Sequence, residues 1–370
     1  EKYGASDRDA AEGWYPEMTI VLLAFLLMIL FSLRIRIFNP DYISHATTTQ
    51  INGIFVFLVF LSHFSGYFDS AISYSELYTT FQGFLGQLVV TTFLFYSGYG
   101  VCISIRKKGD DYVDQLPIKV VELLTSFVIV VLLFALVGAI TQKDYDLSRI
   151  LLSLIGWKSV GNSNWYMFDI LLLYVLTYVA FKVTKKHAHA LVVLLLLSLG
   201  AMVFLYTFQE GGRWYNTFLC YWLGVLYGYG KESYERLMFG HKGCYIATGI
   251  VLLAAFLLLH EQRSQPVFFI LHALVFVLLV NHLSMIVAVN SPVLTWLGKH
   301  IFGIYLLQRI PMILGQYAGL ARGGALTTSV YFVGSLLVTL LLAVGFHHMT
   351  AFLSKRIFAP LKGRAMSAKA

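Results

Sequence analysis

Charge is scarce in this chain. Asp, Glu, Lys and Arg make up 12% of its 370 residues, where an ordinary soluble domain carries about 25%. That shortage needs a solvent other than water, and it leaves no soluble domain of useful size. Cysteine is sparse too. Cys102, Cys220 and Cys244 are scattered, with neither metal-ligand spacing nor a disulfide framework. Buried structural thiols are expected. The chain has no defensible internal repeat, no low-complexity tract and no nucleotide-hydrolysis loop. With no cluster of ligand residues in sight, no metal is expected.

Apolar residues are what the chain has instead, at 58%. They fall into eleven segments, at 18–37, 51–68, 83–105, 118–141, 165–184, 188–208, 213–230, 243–260, 266–289, 295–317 and 327–352. A helical crossing of a bilayer needs about 20 such residues. Lipid offers the backbone no hydrogen-bond partner, so helix is the natural state for each. The sequence predicts an all-α polytopic transmembrane bundle of about eleven helices.

The basic residues set its orientation. If alternate loops are cytoplasmic, beginning after the first segment, 18 of the 27 Lys and Arg lie on that side. Among them are Arg34, Arg36, the triplet Arg106-Lys107-Lys108, Lys182, Lys185, Lys186 and the tail from Lys355 to Lys369. This puts the N-terminus outside and the C-terminus in the cytoplasm. Trp14, Tyr15, Trp165, Tyr166, Trp214 and Tyr215 fall at outer boundaries, where aromatic rings prefer to lie. Asp7, Asp9, Glu12 and Glu17 outweigh Lys2 and Arg8 before the first segment, which suits a retained helix rather than a cleaved signal. The net charge of +8 is loop charge facing a bilayer, and no nucleic-acid partner is expected.

Polar residues inside spans are functional candidates. The second segment runs from Asn52-Gly53-Ile54 to His63 through an almost unbroken apolar run. The spacing is close to three turns, about 16 Å of rise, so Asn52 and His63 share a face. The alternative for His63 is a neutral imidazole hydrogen-bonded between helices. The third segment ends Phe95-Tyr96-Ser97-Gly98-Tyr99-Gly100, followed by Arg106-Lys107-Lys108. Glycines there permit close helix packing. The triplet can grip phosphate or simply anchor the helix end.

Together with Asn164-Trp165-Tyr166 and the stretch Trp296-Leu297-Gly298-Lys299 to Ile304-Tyr305-Leu306-Leu307-Gln308, these motifs resemble the acyltransferase 3 family of membrane acyltransferases. The likeness spans roughly residues 50–317. It implies a ten-helix domain over 49–354, preceded by an extracytoplasmic segment (1–17) and an extra helix with its linker (18–48), and followed by a basic cytoplasmic tail (355–370). Two positions depart from the family pattern. Asn52 stands where an arginine is usual, and Gln308 where a histidine is frequent.

The resemblance implies transfer of an acyl group, mostly acetyl, from cytoplasmic acetyl-CoA to a hydroxyl of an extracytoplasmic glycan. Arg106, Lys107, Lys108, Ser97 and Tyr99 would hold the donor near Asn52. His63 would act as general base or as acyl acceptor. Trp165, Tyr166, Asp169, Arg213, Asn216, Gln308 and Arg309 would line the acceptor site, although Asp169 could instead be a structural partner of Arg213. The plasma membrane, bacterial by the family's habit, is the expected location. A homo-oligomer is compatible with the sequence. Two other classes fit the composition: a flippase or transporter for a glycan or lipid-linked sugar, and an inactive structural relative. Neither repeated carboxylates nor paired discontinuous helices point to a coupled transporter.

The orientation has a direct test. Single cysteines at Ser6 and Ser367 are expected to label from opposite sides of sealed vesicles with an impermeant maleimide. Labelling of both from one side would show that the crossings number one more or one fewer.

Overall fold

A computed structural model describes residues 17–67, 76–184, 186–322 and 325–367. The N-terminal segment and Lys185 lie outside the described residues. The chain is helical almost throughout. Its helices begin with α1 (Glu17–Ser32), α2 (His45–Ser65), α3 (Glu76–Leu85) continued by α4 (Thr91–Lys108), and α5 (Asp110–Ile140). A short α6 (Leu147–Leu154) follows. Then come α7 (Trp165–Val183), α8 (His187–Phe208), α9 (Leu219–Gly240), α10 (Lys242–Gln262) and α11 (Pro266–Ser284). The tenth crossing is assembled from α12 (Pro292–Lys299), α13 (Ile301–Leu307) and α14 (Arg309–Tyr317). The chain ends in α15 (Ala325–Leu353) and α16 (Ala359–Ser367). Among the described residues eight helices are long and apolar enough to cross a membrane.

The outward faces confirm the solvent. On α10 only Phe256 is buried, while Ile250, Val251 and Leu258 are each more than 60% exposed. A monomeric soluble protein rarely tolerates such a face; hydrocarbon covers it at no cost. The interior is aromatic, with Phe60, Phe64, Phe95, Phe127, Phe134 and Tyr221 fully buried.

Two helix seams are closed by glycine. A Cβ on Gly98 would meet the Tyr221 carbonyl oxygen at 2.0 Å, and one on Gly224 would meet the Phe95 oxygen at 2.0 Å. So α4 and α9 touch backbone to backbone. Gly53 against Leu294 and Gly298 against Thr49 do the same for α2 and α12, at 2.1 and 1.8 Å. Lipid tails are as apolar as leucine, so association relies on such close van der Waals packing. Gly53, Gly98 and Gly298 of the motifs are therefore packing residues.

The structure departs from the predicted segments at several places: α5 begins at Asp110 rather than 118, and α9 runs from Leu219 to Gly240 rather than over 213–230. The first and ninth segments stop short, because Leu33–Ile35 (β1) pairs antiparallel with Val287–Val289 (β2), Leu33 opposite Val289. Pro292 would in any case end a helix running through 289. The third crossing begins earlier, at Glu76, and is interrupted by a 3-10 turn over Gly86–Val90, where Gly86 takes a φ of +46°. The tenth breaks at His300 and Gln308. Pro311 has no N–H to give the Leu307 carbonyl, which weakens the helix at the second break.

Because the seams leave no room for a side chain, Gly298→Val and Gly224→Leu should each destabilise the purified protein, by about 1–3 kcal/mol or more. Gly100→Ala, whose Cβ would meet nothing within 4 Å, should not. Scanning fluorimetry in detergent measures the difference; equal melting of all three would remove the seams from the account.

Candidate active site

The helix ends gather at two poles. At one of them α2, the Gly86–Val90 turn, the loop before α7, the loop before α9 and the α13–α14 break meet around a cavity of about 490 Å³. That size suits a small molecule. Its walls include Ser62, His63, Gln87, Ser159, Asn162, Asn164, Trp165, Arg213, Tyr305 and Arg309. The Gly86–Val90 turn and the break at Gln308 border it. Irregular backbone at membrane depth is tolerated where it lines such a space, so the breaks are part of the site.

Each wall has a local cause. His63 sits in the last turn of α2; its Nδ1 is enclosed without a partner while the ring lines the cavity. The Tyr305 ring lies 6.5 Å from it, centroid to centroid, and Tyr166 packs edge-on to Tyr305 at 5.2 Å. Asp169 is fully buried one turn behind Trp165, with neither carboxylate oxygen partnered. Arg309 lies over the Tyr67 ring at 5.7 Å. The guanidinium also donates a hydrogen bond to the Tyr67 hydroxyl. The loop wall is built by its own amides. Asn162 Oδ1 accepts from Val160 N at 3.1 Å and from Ser159 Oγ at 3.2 Å. Asn164 Nδ2 donates to the Gly156 oxygen at 2.8 Å.

The sequence-predicted residues divide accordingly. His63, Trp165, Arg213 and Arg309 line the cavity. Tyr166 and Asp169 stand behind its wall. Asn216 reaches it through Gln87, its Nδ2 donating to Gln87 Oε1 at 3.3 Å. Gln308 is buried, its amide donating to the Tyr305 carbonyl at 3.1 Å. Ser97 approaches Tyr166, which places it beside the aromatic cluster. Arg213 has no ion pair with Asp169 among the described residues.

The remaining candidates stand towards the other pole. Asn52 begins the His63 face of α2 and holds an enclosed, unpartnered Oδ1. Arg106 is engaged: Nη2 meets Glu232 at 2.7 Å and Nη1 donates to the Gly228 oxygen at 2.9 Å. Lys107 and Lys108 are exposed. Tyr99 packs against Tyr227, centroids 6.4 Å apart. A second cavity of about 350 Å³ opens towards this end of α5, lined by Lys119, Glu122, Tyr174, Phe302 and His347 among others. Sequence reasoning missed Ser62, Gln87, Ser159, Asn162 and Ser163, and it quoted Asn164 and Tyr305 within motifs without giving them a role. The polar run just before Trp165 was the available signal for the loop.

The chain is thus a multi-pass helical bundle with an imidazole on the wall of a polar chamber. The family model for the acyltransferase domain of the acyltransferase 3 family matches residues 50–348, and the chain belongs to that family. The helix α1 lies ahead of the matched region. No curated protein and no solved structure matches the chain significantly.

The loop wall makes its own prediction. Asn162→Ala removes the acceptor that organises Ser159 and Val160, at a cost of about 1–3 kcal/mol. Limited proteolysis of the purified protein should then cut within residues 155–164, where the parent resists. Equal resistance would mean that the amide is dispensable.

Proposed function

We propose that this membrane acyltransferase moves an acyl group, acetyl by the family's habit, from cytoplasmic acetyl-CoA to a hydroxyl of an extracytoplasmic glycan. The observation that carries this reading is His63, an imidazole on the wall of a polar cavity at one end of a helix that carries Asn52 about three turns earlier. The cavity faces the extracytoplasmic side under the orientation given by the 18-to-9 distribution of basic residues. The acceptor enters there, against Trp165, Arg213, Asn162 and Gln87.

The donor approaches from the opposite pole. Lys107 and Lys108 are exposed and meet its phosphates first. The Arg106–Glu232 pair is solvent-exposed, and such pairs hold weakly, so phosphate can displace the carboxylate. The pantetheine arm extends along the face between Asn52 and His63, about 16 Å. The enclosed Asn52 Oδ1 suits an amide N–H of that arm, a role that needs no charge. Asn52 in place of arginine then moves phosphate recognition onto the lysines.

At the junction the sugar oxygen attacks the thioester carbonyl and its proton passes to His63. The tetrahedral intermediate collapses with cleavage of the C–S bond. The leaving thiolate takes the proton from His63, giving free coenzyme A and the acylated sugar. The Tyr305 hydroxyl, enclosed and unpartnered, is a donor for the oxyanion.

His63 decides the matter. His63→Gln should fold, bind coenzyme A and lose turnover by roughly 10²–10⁴-fold; His63→Ala should be as inactive. Coenzyme A release and radiolabel transfer to glycan measure it. Turnover within a few-fold of the parent in purified His63→Gln protein would make His63 a packing residue.

A further inference from the structure

The chamber beside His63 is charged with one sign. Arg213 and Arg309 both line it, and among the described residues neither Asp nor Glu stands in its lining. Neither arginine belongs to an ion pair among the described residues. Arg309 is the more confined: its Nε is enclosed and without a partner. Asp169 lies behind Tyr166 and Tyr305 and does not reach the wall. A guanidinium at membrane depth with no counter-ion is costly, and an arriving anion completes it.

A second chamber lies alongside. A neighbouring cavity of about 570 Å³ is lined by Gly86 and Gln87, which also line the first chamber. It presents Arg263 and His260 beside a single carboxylate, Glu261. Arg263 is held in place, with Nη1 donating to the Phe84 oxygen at 2.9 Å and to His260 Nδ1 at 3.2 Å. The two chambers adjoin at Gly86 and Gln87, and their fixed charges, Arg213, Arg309 and Arg263 against Glu261, are together net positive.

We propose that the acceptor is an anionic glycan of more than one sugar unit. A carboxylate or phosphate near the hydroxyl to be acylated sits on Arg309 and Arg213, and the chain continues past Gln87 towards Arg263. Arginine suits either oxyanion because its planar fork pairs in a bidentate manner. The bound anion also balances the imidazolium formed when His63 takes the hydroxyl proton. This rests on the acyltransfer reading for the identity of His63, but the recognition itself is independent of turnover.

Binding to the purified full-length protein tests it. Three probes of equal length are titrated calorimetrically: an oligoglucuronate, a glycerol-phosphate-substituted oligosaccharide and a neutral glucose oligosaccharide. At least one anionic probe should bind roughly tenfold or more tightly than the neutral one, as expected for one charge-assisted contact. Which of the two does so identifies the anion. Raised salt should erode the advantage. Arg309→Gln and Arg213→Gln should reduce it towards the neutral level, and Arg213→Lys should keep part of it.

Equal binding of all three probes, or no binding of either anionic probe, overturns the proposal. So does an anionic preference that survives both glutamine substitutions in protein of unchanged melting temperature. Coenzyme A release from acetyl-CoA, measured in parallel, separates the two readings. Anionic preference without release under any acceptor would sink the acyltransfer reading alone. Release with neutral sugars only would sink this proposal alone.

Discussion

In hydrocarbon no water stands ready to pair with a backbone amide, and this chain is arranged around that fact. Its long apolar stretches are helices. Their faces are apolar towards lipid, as on α10, and the few irregular pieces of backbone are gathered where something polar can meet them. The Gly86–Val90 turn and the α13–α14 break are the two interruptions that border the His63 cavity. A helix ladder opened at membrane depth leaves carbonyls and amides to be satisfied, and a wet chamber is the cheapest place for them. Packing of the bundle follows from the same constraint. With no hydrophobic drive between helices, Gly98 with Gly224 and Gly53 with Gly298 bring backbones into contact and fix α4 on α9 and α2 on α12.

Those two seams also position the chemistry. His63 is carried by α2, and α2 is locked to α12, from which the chain passes directly to α13 and Tyr305. Ser97 is carried by α4 and faces Tyr166 on α7. The cavity is thus walled by elements far apart in sequence, and the aromatic cluster of Tyr166 and Tyr305 lies between them. Several buried groups beside the cavity carry no partner, among them the His63 Nδ1, Asp169, the Tyr305 hydroxyl and the Arg309 Nε. Natural interiors leave few such groups unsatisfied, and their concentration beside the cavity marks it as the working part of the molecule.

Much of the bundle was legible in the sequence, because crossing length is dictated by bilayer thickness and apolar runs of that length are hard to mistake. Hydropathy averaged over a span is blind to one misaligned residue, so the break at Gln308 and the left-handed Gly86 were not visible. The β1–β2 pairing was hidden for a related reason: Leu33–Ile35 and Val287–Val289 are short apolar strands that read as helix ends. In the site, His63, Trp165, Arg213 and Arg309 were found as polar or aromatic residues at span boundaries. The run from Ser159 to Ser163 was not, since a polar loop that folds onto a cavity looks like one that faces water. The Arg106–Glu232 pair joins residues 126 positions apart, a separation at which sequence gives no hint of contact.

The account's central claim is that one bundle serves two sides of a membrane, with donor and acceptor meeting at His63. Proteoliposomes with a single orientation test it most directly, given radiolabelled acetyl-CoA on the Lys107–Lys108 side and glycan only on the His63 side. Label should appear covalently on the glycan, with unlabelled coenzyme A left on the donor side. Passage of unmodified glycan across the bilayer, or transfer only when both substrates share one side, would contradict it.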